Sequence, residues 1–330
     1  MLIELDEIRS LMIRTCERSG VPASQVELVV GHYLDGELRG KKTHGLAKFC
    51  FESQYFHERQ GPPEITHDRK AITVVNARRE VGPISAAFAT DIAVRKARRF
   101  GVGMVGVVNS QRYGILATWT ERMAGEGCVG VAMNTSTADV TLPGAGEGFL
   151  GVNPLSFAVP TADEPLVADM STTKAPMGLL WEARRGGQAL PPGCFVDRDG
   201  HYTLDPDDAV SAVMFGEHKG FAISLLVQLL TGSIFGFPMG TEVDSIWRTG
   251  YTFLALDPAF GGAAADFVSA NSRLVESIEN VRTTNGSGLR LFSRNGLKAR
   301  NDAIRVGLLE VSDSVLERLR SCASGDHREH

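Results

Sequence analysis

Apolar positions recur at three- and four-residue steps along Leu5–Arg18 and again at Val26, Val29, Val30, Tyr33, Leu34 and Leu38, which predicts two helices separated by Ser19-Gly20 and Pro22. Ser24-Gln-Val-Glu27 has the spacing of a reciprocal capping box at the second start. Gly40 ends that period, and a new one opens at Leu46, Phe49, Cys50 and Phe51. Thr43 is therefore expected to cap a third helix, with His44 and Lys48 on one of its faces. Past Gly61-Pro62-Pro63 the period changes: Ala71–Val75 reads as a strand, Pro83–Phe100 as a helix, Val102–Val108 as a strand, Ile115–Glu126 as a helix and Cys128–Met133 as a strand. A long glycine-containing loop, Thr135–Gly151, precedes strands at Pro154–Val159 and Pro165–Asp169. Gly186–Pro206 is turn-rich and carries a hairpin-like Asp197-Arg-Asp-Gly200. Gly216-Glu-His-Lys-Gly220 then opens the most apolar helix, followed by a strand at Tyr251–Leu256 and helices at Phe267–Val281 and Ser312–Cys322. Helix and strand in alternation argue for an α/β sheet layer.

Composition narrows this little. The 330 residues suit two domains or one large one, and 43% hydrophobic with 22% charged residues is ordinary for a globular α/β protein. A net charge of −5 without a dense basic run gives no reason to expect nucleic acid. Five scattered cysteines without CxxC or HxxxH spacing read as reduced core thiols of a cytoplasmic protein with no metal site. The acidic N-terminus, helical at once, argues against a signal peptide. Phe221–Phe237 is uncharged for 17 residues but polar in places and short for a membrane span, so a buried core helix is expected rather than membrane contact.

The densest chemistry lies in Arg39-Gly-Lys-Lys-Thr-His44-Gly45 and Lys48, where a histidine, a hydroxyl and four cations meet a helix start that could dock a small anion. A capped, solvated helix start with a surface histidine would look the same. Two glycine patterns have dinucleotide-fingerprint spacing, and both fail on context. Gly101-Val-Gly103-Met-Val-Gly106 runs from helix into strand, and Gly146-Glu-Gly148-Phe-Leu-Gly151 runs into Pro154, so a standard Rossmann turn is not supported. Lys219 at the start of the apolar helix could join unpaired N–H groups in holding an anion, or the glycines there could simply ease the helix start. Asp169 with Ser171, Thr172 and Thr173 ends a strand, where ligands often sit and where hydroxyl turns also occur. Asn109-Ser-Gln-Arg112-Tyr-Gly114 is likewise a polar strand end. His32, His57, His67, His201, His327 and His330 read as surface residues.

Taken in order, these stretches resemble the type-2 malate/L-lactate dehydrogenase family, which includes ureidoglycolate dehydrogenase, sulfolactate dehydrogenase and Δ1-piperideine-2-carboxylate reductase. Arg39–Gly45 is similar to its RG-x-x-SHG, Asn109–Gly114 to NS-x-H-[FW]-G, Gly151–Ala158 to GTNPLAFA, Asp169–Thr172 to DMAT, and His218–Phe221 to HKGY. The resemblance implies a sulfolactate dehydrogenase-like fold: a non-Rossmann mixed β-sheet NAD(P)-binding domain over residues 71–284 and a helical substrate and dimer domain from residues 1–70 with 285–330. It also implies a homodimer and hydride transfer, with NADP or NAD, at the carbon beside a carboxylate. By position, Thr43, His44, Lys48 and Arg112 would lie at the substrate. Ser136, Asp169, Met170, Ser171, Lys219, Gly220, Ser293 and Arg294 would lie along the cofactor.

The departures bear on chemistry. Arg112 stands where the family has its acid/base histidine, and a guanidinium cannot release a proton at any working pH. Lys48 replaces a carboxylate-clamping arginine, Thr43 replaces serine, and Leu291-Phe-Ser293-Arg294 stands where LPGE is expected. Three activities follow: reduction of a cyclic 2-imino acid or 2-oxo acid with Arg112 on the carboxylate and His44 or water as proton source; 2-hydroxy-acid oxidation with His44 as base; or nucleotide binding without catalysis.

Overall fold

The computed structural model describes residues 1–284, 289, 291 and 294–325. Strand β1 (Leu2–Glu4) leads into three helices, α1 (Leu5–Arg18), α2 (Val26–Leu38) and α3 (Leu46–Glu52). The alternating region holds β2 (Glu64–Arg69), β3 (Ile72–Asn76), α4 (Gly82–Phe100), β4 (Val102–Val108), α5 (Leu116–Gly125) and β5 (Val129–Asn134). After it come β6 (Val140–Thr141), β7 (Leu155–Val159), β8 (Leu166–Met170), α6 (Met177–Gly186), β9 (Phe195–Val196), β10 (Ser211–Val213), α7 (His218–Thr231) and β11 (Tyr251–Leu256). The last elements are α8 (Ala264–Glu279), α9 (Arg294–Val306), β12 (Leu308–Glu310) and α10 (Asp313–Ser324).

Seven strands form the main sheet in the order β2-β3-β4-β11-β5-β7-β8. Only β3 and β4 run parallel, joined through α4, while the other neighbours are antiparallel. A nearly all-antiparallel order is not the doubly wound one, as the two failed glycine fingerprints imply. Helices α4 and α5 cover the sheet through Ala86, Ala93, Trp119 and Met123, which pack on Val105, Val107 and Phe253. Small β6, β10 and β9 form a second sheet with its own core around Phe195, Leu180 and Met214. A third core gathers Ile8, Met12, Tyr33, Phe49, Phe56, Leu316 and Leu319 from the two ends of the chain, and β1 pairs antiparallel with β12.

Several expectations need correction. Strand β2, which the hydrophobic pattern did not predict and which is exposed at every position, joins the main sheet as a hairpin with β3. The capping box does not form: α2 follows a 3-10 turn at Ala23–Gln25 without a side-chain cap, and Glu27 pairs with Arg9 instead. Helix α9 buries only Leu297 and α6 only Leu180 and Ala183, which left too thin an apolar stripe to read. Helix α7 is not a buried core helix, since its Leu225, Leu226 and Leu229 are 41–50% exposed, as is Ile234 in the 3-10 turn that follows.

The end of α2 is tied to distant elements by charge. Arg39 reaches Asp35 at 2.7 Å and both carboxylate oxygens of Glu121 in α5 at 2.6 Å, and Arg300 of α9 reaches Asp35 at 3.1 Å. Lys42 pairs with Glu37. Two of the four cations read as a docking cluster are therefore structural.

Candidate active site

The chain between α2 and α3 is built around a buried carboxylate. Glu37, 4% exposed, accepts the Leu46 N–H at 2.9 Å and so caps α3 from the preceding helix. Gly45 permits this approach, because a Cβ there would meet Glu37 Oε2 at 2.1 Å. Thr43 is accordingly not the cap: it sits with His44 in a 3-10 turn, its Oγ1 2.9 Å from His44 Nδ1. Burial, then the charges of Lys48 and Lys41, hold the His44 imidazole down at about 4, so it is neutral near pH 7.

One turn into α3, Lys48 Nζ lies 3.3 Å from Glu52 Oε1 and 5.5 Å from the Phe51 ring centroid. Glu52 is 4% exposed, and its Oε2 accepts the Tyr33 hydroxyl at 2.5 Å. Its Oε1 makes no hydrogen bond among the described residues.

Arg112 comes from the β4–α5 loop, which is held on every side. Gln111 Nε2 donates to the Tyr55 and Arg79 carbonyls at 2.8 and 3.0 Å, and Trp119 Nε1 donates to the Tyr113 carbonyl at 3.0 Å. Tyr113 stacks on Tyr251 with centroids 3.7 Å apart. Gly82, in the first turn of α4, admits the loop backbone, since a Cβ there would sit 1.8 Å from the Arg112 carbonyl oxygen. Arg112 then lines a cavity of about 70 Å³ with Phe51, Glu52, Tyr55, Gln111 and Ile246. Among the described residues its guanidinium has no acidic partner within ion-pair distance. The structure thus brings Arg112 to Glu52 and, through Glu52, to Lys48; Thr43 and His44 are not in the wall of this cavity.

The residues expected along a cofactor are dispersed: Ser136 and Ser171 in the loops after β5 and β8, Asp169 and Met170 at the end of β8, Lys219 and Gly220 in the first turn of α7, and Arg294 at the start of α9. Ser136 Oγ accepts the Val152 N–H at 2.9 Å, and Ser171 Oγ lies 2.9 Å from Thr173 Oγ1. Asp169 Oδ2 accepts the Ala117 N–H at 3.2 Å at the start of α5, and burial raises its carboxyl above the usual range. Met170 is 41% exposed. At the start of α7 the backbone differs from expectation: the Lys219 and Gly220 N–H groups are taken by the carbonyls of Gly216 and Phe215, both at 3.1 Å. Lys219 remains exposed, and among the described residues it has no acidic partner, so an anion there would meet its ammonium rather than free helix amides. Arg294 is paired with Glu279 at 3.1 Å and Glu164 at 3.9 Å, and Ser293 lies outside the described residues.

Sequence reasoning missed Glu52, Tyr33, Tyr55 and Gln111. Lys48 and Glu52 do stand four apart, the spacing of a helical ion pair, which was the available signal. It also misplaced His32, which is 3% exposed, stacks on Trp119 at 5.0 Å, packs against Gly114, and has no hydrogen-bond partner for either ring nitrogen among the described residues. Burial pushes its pKa down to about 3. The unfolded chain therefore binds a proton at this residue below about pH 6.5 that the folded chain refuses until about pH 3, so stability is lost as pH falls through that window. His32→Phe is expected to flatten the loss between about pH 7.5 and pH 5 by about 2 kcal/mol, read by urea unfolding at both pH values. An unchanged pH dependence would reject it.

A family model described as malate/L-lactate dehydrogenase matches residues 3–320. The chain is 28% identical over 339 residues to (2R)-3-sulfolactate dehydrogenase (NADP(+)) of Chromohalobacter salexigens, covering 98% of both chains. It is 28% identical over 324 residues to Delta(1)-pyrroline-2-carboxylate reductase 1 of Burkholderia ambifaria, covering 93% of this chain and 94% of that one. The fold matches sulfolactate dehydrogenase from Methanocaldococcus jannaschii with a TM-score of 0.88 at 23% identity, over 98% and 97% of the two chains.

Proposed function

Proceeding from the fact that this chain belongs to the malate/L-lactate dehydrogenase family, we propose that it is an NAD(P)H-dependent oxidoreductase that reduces a C=N bond beside a carboxylate, in a cyclic 2-imino acid, in preference to the C=O of a 2-oxo acid. The carrying observation is Arg112 in a small cavity wall, without an acidic partner among the described residues, while His44, outside that wall, is held neutral. Arg112 suits the carboxylate, which its planar fork can bind through two parallel hydrogen bonds. Reducing a ketone requires a proton as well as a hydride, and neither residue is a ready donor: arginine does not release one, and a histidine with a pKa of about 4 carries a proton in roughly one molecule in a thousand at pH 7. A protonated imine already bears its proton and needs only the hydride.

The bound reduced nicotinamide would supply that hydride. Lys219, exposed and without an acidic partner among the described residues, suits one of its phosphates, with the hydroxyls of Ser136 and Ser171 on neighbouring loops. Oxidation of NADPH and NADH, followed at saturating Δ1-piperideine-2-carboxylate, Δ1-pyrroline-2-carboxylate, pyruvate and oxaloacetate, tests the reading. Turnover of the cyclic imines above the oxo acids is expected, and no turnover with any of them would reject it.

A neutral imidazole favours a second reading, in which His44 is the base for oxidation of a 2-hydroxy acid. It requires that malate or lactate be oxidised, that His44→Ala abolish the rate, and that the acid limb of the pH profile fall near pH 4 rather than 6.5.

A further inference from the structure

Six side chains form the wall of the Arg112 cavity, and a ligand does not meet them equally. Glu52 and Gln111 are 4% and 3% exposed, and the Oε1 of each is closed off from solvent. A ligand therefore meets the Arg112 guanidinium and three largely apolar side chains, Phe51, Tyr55 and Ile246. Lys48 is offset by Glu52 at 3.3 Å, so among the described residues Arg112 is the one charge this wall presents. Five of the six side chains come from α3, the turn after it and the β4–α5 loop. Ile246 comes from elsewhere, a 3-10 turn over Ile246–Arg248 just before β11. Its neighbour seats it there: the Trp247 ring lies over the Arg79 guanidinium at 4.6 Å, Arg79 reaches Glu58 at 3.4 Å, and the Arg79 carbonyl accepts Gln111 Nε2 at 3.0 Å. The hydrogen bonds that fix the Arg112 loop, from Gln111 and Trp119, do not involve Ile246.

We propose that Ile246 is the specificity-determining residue of this site: it packs on the apolar body of a substrate whose one carboxylate lies on Arg112, and it leaves a second anionic group without a counter-charge. A second carboxylate placed against this side chain would lose its water and gain no partner, whereas a methylene there gains by leaving water. The site then takes a monocarboxylate with a methylene ring or short alkyl chain and rejects dicarboxylates. This rests on the reductase reading for the reaction, while the recognition it describes can be tested by binding alone.

The probe pair is pentanoate and glutarate, which share one carboxylate and a chain of methylenes and differ in a terminal methyl against a second carboxylate. With the wild-type protein and NADPH present, calorimetry is expected to show pentanoate binding at least about tenfold tighter. Ile246→Ala is expected to weaken pentanoate by about fivefold and to leave glutarate within about twofold. Ile246→Lys, which adds a second cation, is expected to invert the order, with glutarate at least about tenfold tighter than pentanoate. Under turnover, the lysine variant is expected to raise kcat/KM for oxaloacetate relative to pyruvate by a similar factor. Glutarate binding as tightly as pentanoate to the wild-type protein, binding of neither, or a pentanoate preference that survives in folded Ile246→Lys overturns the proposal. If the lysine variant fails to fold, the wild-type and alanine comparisons decide it. If the preference follows Ile246 but no imine is reduced, the recognition holds and the reaction assigned above is wrong; if imines are reduced while glutarate binds equally well, the reaction holds and the role of Ile246 is wrong.

Discussion

Arg112→Ala is expected to lower kcat/KM for the imino acid by about a thousandfold, close to 4 kcal/mol, with most of the loss in KM. Two parallel charge-assisted hydrogen bonds to a carboxylate in a narrow cavity carry energies of that order, and the nearby Lys48 does not replace them, because it is engaged by Glu52. The same substitution leaves no acid orphaned, since the guanidinium has no ion-pair partner among the described residues. Thermal unfolding should therefore stay within a few degrees of wild type, which separates lost binding from lost structure. Arg112→Lys is expected to recover only part of the rate, having the charge without the fork. Steady-state kinetics on the three proteins decides the matter; a change below about threefold for alanine would remove Arg112 from the site.

Arg39→Ala should act in the opposite way, costing about 3–5 kcal/mol of stability. Its guanidinium is 10% exposed and satisfies two carboxylates, Asp35 at 14% and Glu121 at 16% exposure. Removing it strands both in a poorly solvated seam between α2 and α5, with Arg300 alone among the described residues left to answer Asp35. Urea unfolding at neutral pH measures the loss, and a change under about 1 kcal/mol would show that solvent already screens the seam. Any fall in activity should track the unfolded fraction.

How far the sequence could be read depended on how each element buries itself. Helix α4, with twelve buried positions, and the central strands β4, β5 and β11 carry wide apolar patterns and were legible to within a few residues. Strand β2 has no buried residue, and α9 has one, so their order comes from pairing and charge that a hydrophobic pattern does not record. The site divided likewise. His44, Lys48 and Arg112 were singled out because motifs flank them, whereas Glu52 is a lone acid whose meaning depends on Tyr33, nineteen residues earlier, and on a loop sixty residues later. His32 failed in the other direction: a polar residue on a helix reads as solvent-facing unless the tryptophan that covers it is known.

Strand β11 lies between β4 and β5 and pairs with both along its whole length, from Tyr251 to Leu256. Those two neighbours are complete by residue 134, so a ribosome must add more than a hundred residues before the strand that joins them exists. At ordinary translation speeds the gap lasts on the order of ten seconds, during which two hydrophobic edges stand without their partner. Synthesis thus passes through a stage that invites capture by a holding chaperone, and the sheet can close only after the greater part of the polypeptide has been made.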